Sequence, residues 1–108
     1  MPTYVRAYWP DEDVWLYEEL DDRRWAMRHI EVRGADGVVV VATSLAEVLV
    51  ARDSGGIRAV QAYEARFGVM PDAPFPASPL EYRSEPVGTA TFEGLWRIGR
   101  ERLGPPNL

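Results

Sequence analysis

Carboxylates and aromatic side chains crowd together in DEDVWLYEELDDRRW, residues 11–25, where seven carboxylates lie within the first twelve positions. Such a stretch can dock a basic partner, because opposite charges attract over long distances. It can also be the charged edge of a hairpin, since charges keep open strand edges from pairing with other chains. Residues 11–13 lack the additional ligands and the glycine turn of a calcium loop. We therefore expect no metal ion and no cofactor.

His29 is the only histidine, and its side chain is the natural candidate for a general base near neutral pH. Glu31 lies two residues further on, on the same face of a strand, where its carboxylate can orient the imidazole. No serine stands in the glycine-flanked elbow of a nucleophilic enzyme. We therefore assign no catalytic residue, and we predict that His29 lies on a binding surface.

Glu19 and Arg28 are a second candidate pair, a carboxylate and a guanidinium at one end of a predicted apolar face. Arg28 can stack on Tyr17 and reach Glu19 diagonally across two strands. The pair either stabilises the fold or recognises a small polar ligand. The second alternative predicts a ligand pocket near Tyr17, Glu19 and Arg28, roofed by helices and a proline-rich segment.

The surrounding elements are predicted from β-branched and aromatic runs separated by turn residues. Residues 21–24 and 34–37 are polar turns, and the segments on either side of them alternate in polarity as strands do. The predicted strands are residues 3–9, 14–20, 25–33 and 38–43, joined as an antiparallel meander.

The periodicity becomes helical after residue 43. Ser44 and Glu47 have the spacing of a capping box, which predicts a helix through about Arg52 that ends at Gly55 and Gly56. We interpret these glycines as a hinge between two helices. The remaining predicted elements follow in order: a second helix from Ile57 to Phe67, a proline-rich connector at residues 71–79, an edge strand at 80–87, and a terminal helix capped by Thr89 or Thr91. The fold class is α+β, an antiparallel meander of four to five strands with two or three helices packed on one face.

The turns also predict a register. Tyr17 should pair with Arg28, Ile30 with Val41, and Val32 with Val39. Alternation then gives an apolar face of Trp15, Tyr17, Ala26, Ile30, Val32, Val39 and Val41. The opposite, mixed face carries Val14, Leu16, Glu18, Leu20, Trp25, Met27, His29, Glu31, Val38 and Val40. A face that combines charges with large apolar side chains indicates that something covers it.

The composition sets broader limits. The 108 residues suit a single domain spanning 1–108, and the chain has no cysteine and a net charge of −5. The acidic balance argues against non-specific nucleic-acid binding. Neither a signal peptide nor a membrane span is visible, so we expect a cytoplasmic protein that does not bind membranes. Its exclusive use of arginine among basic residues is typical of a GC-rich bacterial genome.

The run from Leu16 to Val32, followed by Gly37 and by FEGLW at 92–96, resembles a family of small uncharacterised bacterial proteins with the pattern LYSELDxDRYEVRKVEVFxDG. The matching positions are Tyr17, Glu19, Asp21, Arg24, Arg28 and Glu31, whereas His29 stands where that family has lysine. The resemblance covers about residues 3–43 and 85–97, and the helices within 44–80 look like an insertion. It implies an antiparallel sheet with a packed C-terminal helix and, by analogy with similar small acidic proteins, an immunity function against bacterial toxins.

These observations favour a binding protein over an enzyme. The first hypothesis is an immunity-like or antitoxin-like protein that neutralises a basic toxin. The alternative is a small-molecule-binding protein or enzyme of a bacterial secondary pathway, and a third is a homodimer formed through the mixed face. The predicted partner-binding residues are Glu18, Glu19, Asp21, Asp22, Trp25, His29 and Glu31.

Overall fold

The computed structural model describes residues 1–76 and 83–108 as a five-stranded antiparallel sheet and two helical elements. The strands stand in the order β4-β3-β2-β1-β5, so that four consecutive strands form the predicted meander. This confirms the α+β fold class. The elements are β1 (Thr3–Trp9), β2 (Val14–Leu20), β3 (Ala26–Arg33), β4 (Val39–Ser44), α1 (Leu45–Phe67), β5 (Ser84–Pro86) and α2 (Thr89–Leu103). Residues 77–79 of the predicted connector and 80–82 of the predicted edge strand lie outside the described residues.

Short-range hydrogen bonds to the backbone stabilise both predicted turns. Between β2 and β3, the Asp21 carboxylate accepts the N–H groups of Arg23 and Trp25, each at 2.9 Å. Between β3 and β4, the N–H of Gly37 donates to the carbonyl of Arg33 at 2.8 Å, with Gly37 at a φ of 73°. The sequence predicts turns of this kind, because aspartate can accept hydrogen bonds from nearby backbone N–H groups and glycine can adopt a positive φ.

The β2–β3 register differs from the prediction by two residues. Tyr17 pairs with Ile30, not with Arg28, and Glu19 pairs with Arg28. An even shift keeps each side chain on its predicted face, because strand side chains alternate with a period of two. A β-bulge next to Leu20 then makes that residue the partner of Ala26. Ala26 therefore leaves the predicted apolar face and packs on the other side of the sheet, with Leu20.

A second bulge, between Glu31 and Val32, changes the β3–β4 pairing by one residue. Val32 pairs with Val39 as predicted, but Ile30 pairs with Ala42 and not with Val41. Because a shift of one residue exchanges the faces, Ala42 replaces Val41 in the core.

Helix α2 covers one side of the sheet, which we call the helix face. Phe92 is fully buried there, and a β-carbon at Gly99 would lie 2.7 Å from a Val39 methyl group. A glycine at this position lets the helix approach the strand closely. The prediction that Thr89 or Thr91 caps α2 is wrong. The N-cap residue is Gly88, and no side chain forms a capping hydrogen bond there. The buried cluster of this face is Tyr17, Ile30, Val32, Val39, Ala42 and Phe92.

Helix α1 folds back on itself at Gly56, which has a φ of 67° and a ψ of −156°. The Tyr63 hydroxyl donates to Glu47 at 2.6 Å, although residues 16 apart in a straight helix would be about 24 Å apart. The two arms pack through Ala51, Tyr63 and Phe67. The predicted hinge between two helices is thus present.

Side chains from both helices bond to two backbone groups of β4, the edge strand of the sheet. The carbonyl of Ala42 accepts from Arg100 Nε at 3.0 Å, and the N–H of Ser44 donates to the Tyr63 hydroxyl at 3.0 Å. The capping box forms only in part. Ser44 Oγ accepts the Glu47 N–H at 3.4 Å, but the Glu47 carboxylate bonds to Tyr63 and Arg100. These contacts protect an edge that could otherwise pair with another chain.

The reversal in α1 predicts opposite effects for two glycine-to-alanine substitutions. Gly56→Ala should lower the free energy of unfolding by about 1–3 kcal/mol, because its backbone conformation is almost restricted to glycine. Gly94→Ala is the matched control, since Gly94 lies inside α2 with open space around it. Alanine there should raise the free energy of unfolding by up to about 1 kcal/mol. Urea denaturation of both variants measures this difference, and equal effects would contradict the hinge at Gly56.

Candidate functional site

The side of the sheet opposite α2, which we call the cleft face, is partly covered by the chain after Gly68. Met70 and Phe75 pack there on a small buried cluster of Val5, Leu20 and Ala26. The prediction that something covers the mixed face is therefore correct, and part of the cover is the proline-rich segment. Proline has no N–H group, so this segment can lie on side chains with few backbone donors left unpaired.

Arg24 attaches the proline-rich segment to the β2–β3 turn. Its Nε donates to the carbonyl of Phe75 at 3.0 Å and a terminal nitrogen donates to the carbonyl of Pro76 at 3.1 Å. The Phe75 N–H in turn donates to the Arg24 carbonyl at 2.8 Å. Arg24 adopts a φ of 66°, an uncommon value for a residue with a side chain. These bonds fix one wall of the cavity beside the sheet.

Between this wall and the sheet lies a cleft of about 430 Å³. Its volume is within the range of small-ligand sites. Trp9, Leu16 and Phe75 contribute apolar surface, and no arginine is among the described residues that line it. Four carboxylates and one imidazole supply the ionisable groups: Glu12, Glu18, Glu31, Asp72 and His29.

His29 lies between two of these carboxylates. Its Nε2 is 2.9 Å from Oε2 of Glu31 in hydrogen-bond geometry, and its Nδ1 is 3.2 Å from Oε1 of Glu18. Register explains the arrangement, because Glu18 pairs directly with His29 while Glu31 follows two residues later on the same face. The expected orientation of His29 by Glu31 is confirmed. The sequence placed Glu18 on the same face as His29 but did not indicate that the two side chains are in contact.

Burial opposes protonation of His29, but the hydrogen bond with Glu31 and the negative charges of Glu18 and Glu31 outweigh it and raise the pKa of His29 to about 9. The imidazole is therefore protonated at neutral pH. A protonated imidazole cannot accept a proton, so this geometry does not favour His29 as a general base.

Two buried polar atoms of cleft-lining residues have no hydrogen-bond partner among residues 1–76 and 83–108: Nδ1 of His29, which lies 3.2 Å from Glu18 Oε1 without forming a hydrogen bond, and one oxygen of Glu18. The Glu18 side chain is only 5% exposed, and the oxygen without a partner is its Oε2. A buried carboxylate oxygen without a donor is costly, and native structures usually provide one. The cleft can therefore satisfy this oxygen with a donor from a bound ligand.

The other predicted partner-binding residues lie outside the cleft. Glu19 is on the helix face, in an ion pair with Arg28. Asp21 uses its carboxylate to form the turn. Asp22 is 90% exposed, and Trp25 is 40% exposed beside the same turn. The cleft thus brings together three of the predicted residues: Glu18, His29 and Glu31.

Arg28 is fully engaged on the helix face. Its Nε and a terminal nitrogen donate to the two oxygens of Glu19 at 2.8 and 3.0 Å, and it also pairs with Glu93 of α2. Its guanidinium carbon lies 4.9 Å from the ring centre of Phe92 and 5.0 Å from that of Trp96. The pair thus connects the sheet to α2, and this favours a structural role.

The cleft is distinct from the ligand pocket that was the alternative expectation near Tyr17, Glu19 and Arg28. Tyr17 is 8% exposed within the core, and its hydroxyl accepts a hydrogen bond from Arg6 at 3.2 Å. None of the three residues lines the cleft. The proline-rich segment does form a roof, but over the opposite face. Strand alternation explains the difference, since neighbours such as Glu18 and Glu19 project to opposite sides.

Sequence reasoning missed Arg24, Trp9 and Phe75 as parts of the site. Arg24 was visible only as a turn residue that matches the family pattern. Phe75 stands inside the proline-rich run, where an aromatic among prolines was the one available signal for a packed segment.

Neither metal binding nor a membrane span is indicated by the described residues. In residues 1–76 and 83–108, no group of three histidine or acidic side chains is arranged to hold a metal ion. Asp13 of the acidic stretch instead accepts a hydrogen bond from the Tyr8 hydroxyl at 2.5 Å. No helix in this part of the chain is long and apolar enough to cross a membrane.

No protein-family model matches the chain, and no curated protein or solved structure is significantly similar to it. The resemblance to the uncharacterised bacterial family therefore stays a prediction.

The partly buried Arg28 network and the exposed Arg33–Asp36 pair predict different responses to loss of the arginine. Arg28→Ala should lower the free energy of unfolding by about 3 kcal/mol, because it leaves the mostly buried Glu19 carboxylate without its cation. Arg33→Ala is the control, since Arg33 and Asp36 form an exposed ion pair. Exposed pairs contribute little, so this variant should unfold at the same urea concentration as the parent protein. A loss of similar size in both variants would contradict a structural role for the Arg28 network.

The pKa of His29 predicts how stability changes with pH. Because folding raises the pKa from its ordinary value of 6.5 to about 9, the stabilisation is fully present below pH 6.5 and is lost as the pH rises through 9. His29→Gln should remove this component. In the parent protein, the His29 imidazole gives a single NMR titration curve, since the sequence has no other histidine. A midpoint at or below 6.5 would show that the two carboxylates do not hold the proton.

Proposed function

We propose that the chain is a small acidic binding protein whose cleft receives a cationic group from a basic protein partner. The observation that carries this proposal is that Glu18 lines the cleft while its buried Oε2 has no donor among the described residues. A cationic N–H donor satisfies both the geometry and the charge of this oxygen.

The charge of the molecule supports a basic partner. The net charge is −5, and four carboxylates face one imidazole in the cleft. The fields of such groups raise the rate at which an oppositely charged protein is encountered. The exposed Asp22 and Trp25 beside the β2–β3 turn extend the surface beyond the cleft. An aromatic group with charged neighbours is typical of interface hot spots.

The most concrete form of this proposal is an immunity-like or antitoxin-like protein that neutralises a basic bacterial toxin. Such a protein needs a preformed, negatively charged surface and no catalytic machinery of its own. The cleft has a wall fixed by Arg24, and its only described imidazole is held protonated, which suits binding better than proton transfer.

A small-molecule-binding protein or enzyme is the second candidate. It is favoured by the volume of the cleft, about 430 Å³, and by its apolar walls. In this case the ligand is a small amine or a related cation held at Glu18 in the cleft.

Binding of fluorescent peptides to purified protein tests the first candidate. Peptides that carry basic residues should bind with an affinity that falls as salt is added, whereas neutral peptides should not bind. Glu18→Gln should weaken binding by about tenfold, because it removes the charge of a buried acceptor. Glu101→Gln, on the exposed surface of α2, is the matched control and should change the affinity less than about twofold.

Circular dichroism first establishes that each variant is folded. Equal affinity in the parent protein and Glu18→Gln would rule out the cleft as the site. If no basic peptide binds but small amines stabilise the protein in a Glu18-dependent way, the second candidate replaces the first.

A further inference from the structure

We propose that the group recognised in the cleft is the guanidinium of an arginine side chain presented by the partner protein. This inference rests on the proposed function and specifies the chemistry of its ligand. It is drawn from the positions of the carboxylate oxygens around His29.

The cleft offers acceptors on two neighbouring strands. Glu18 of β2 has one oxygen near Nδ1 of His29 and a second, buried oxygen without a donor. Glu31 of β3 uses Oε2 to contact Nε2 of the same ring, and its side chain is 25% exposed. One oxygen of each carboxylate thus faces His29. A ligand that bonds to both carboxylates must present more than one N–H group.

A guanidinium meets this requirement. It carries five N–H donors in a rigid planar fork, whereas an ammonium is a compact charge with a tightly held water shell. The Glu18 oxygen is buried, so the entering cation must lose water. Guanidinium is the more weakly hydrated cation, so it loses less hydration free energy than an ammonium when it enters the cleft. Desolvation and donor geometry therefore both favour arginine over lysine.

The apolar walls of the cleft also suit a planar cation. Trp9 and Phe75 line it, and the guanidinium of Arg24 already lies 5.7 Å from the Phe75 ring centre on the segment that forms the wall. Aromatic side chains attract cations through the ring face, and arginine makes such contacts more often than lysine.

A protein-borne arginine fits the surroundings better than a free guanidine. Carboxylates outside the cleft, such as the 90% exposed Asp22, are available to a basic protein surface but add nothing for a ligand confined to the cleft. Trp25, 40% exposed at the same turn, adds apolar contact area. A free guanidinium compound would use only the cleft, so the two sources should differ in affinity.

The experiment uses the full chain, isotopically labelled, and follows its NMR signals during titration with three blocked tripeptides, Ala-Arg-Ala, Ala-Lys-Ala and Ala-citrulline-Ala, and with methylguanidinium. The arginine peptide should bind about tenfold more tightly than the lysine peptide, and should shift the signals of Glu18, His29 and Glu31. The citrulline peptide has nearly the same shape without the charge and should not bind. Methylguanidinium should shift the same signals with lower affinity than the arginine peptide.

Variants then separate recognition from general attraction. Glu18→Gln should abolish the preference for arginine over lysine, whereas Glu101→Gln should keep it. The NMR signals of residues on the helix face show whether each variant is folded, because these signals should match those of the parent protein.

The outcomes distinguish this inference from the proposed function. If arginine and lysine peptides bind equally and both lose affinity in Glu18→Gln, a cation site exists but selectivity for guanidinium is wrong. If methylguanidinium binds as tightly as the arginine peptide, the ligand is a free guanidine and not a protein side chain. If no cation shifts the cleft signals, both the guanidinium inference and the cation-binding function are wrong.

Discussion

Strand alternation is the constraint on which the structure depends, because it separates two ion clusters that are adjacent in sequence. Glu18 pairs with His29 and Glu19 pairs with Arg28, yet these pairs lie on opposite faces of the sheet. One face is closed by α2, and the other is partly covered by a proline-rich segment. A slip of one residue between β2 and β3 would exchange the two faces and bury the wrong cluster.

The clusters differ in how completely their groups are satisfied, and this difference assigns their roles. On the helix face, Arg28 bonds to Glu19 and Glu93 and lies against two aromatic rings, so its donors and charge are used within the molecule. On the cleft face, Glu18 keeps a buried oxygen without a described donor. Saturated ion pairs connect elements of a fold, whereas an unsatisfied buried acceptor is a natural place for a ligand.

The proline-rich segment turns a sheet surface into a cleft because its backbone needs few partners. Arg24 supplies two of its side-chain donors to carbonyls of this segment, which makes the β2–β3 turn part of the site. The same turn carries the exposed Asp22 and Trp25. The acidic stretch therefore has several functions: Asp21 forms the turn, Glu19 binds α2 through Arg28, and Glu18 faces the cleft.

The sequence alone determined the local features: four strands, two polar turns, and a hinge at Gly55 and Gly56, since these depend on residues close together in the chain. It also placed Glu18, His29 and Glu31 on one face, because an error of two residues in register leaves alternation unchanged. Only the tertiary structure decided the bulges beside Leu20 and Val32, which moved Ala26 and exchanged Val41 for Ala42. It also decided which face the proline-rich segment covers. The position of this segment depends on contacts between distant residues, Arg24 with Phe75 above all, and the free energy of such contacts is not encoded in any short stretch of sequence.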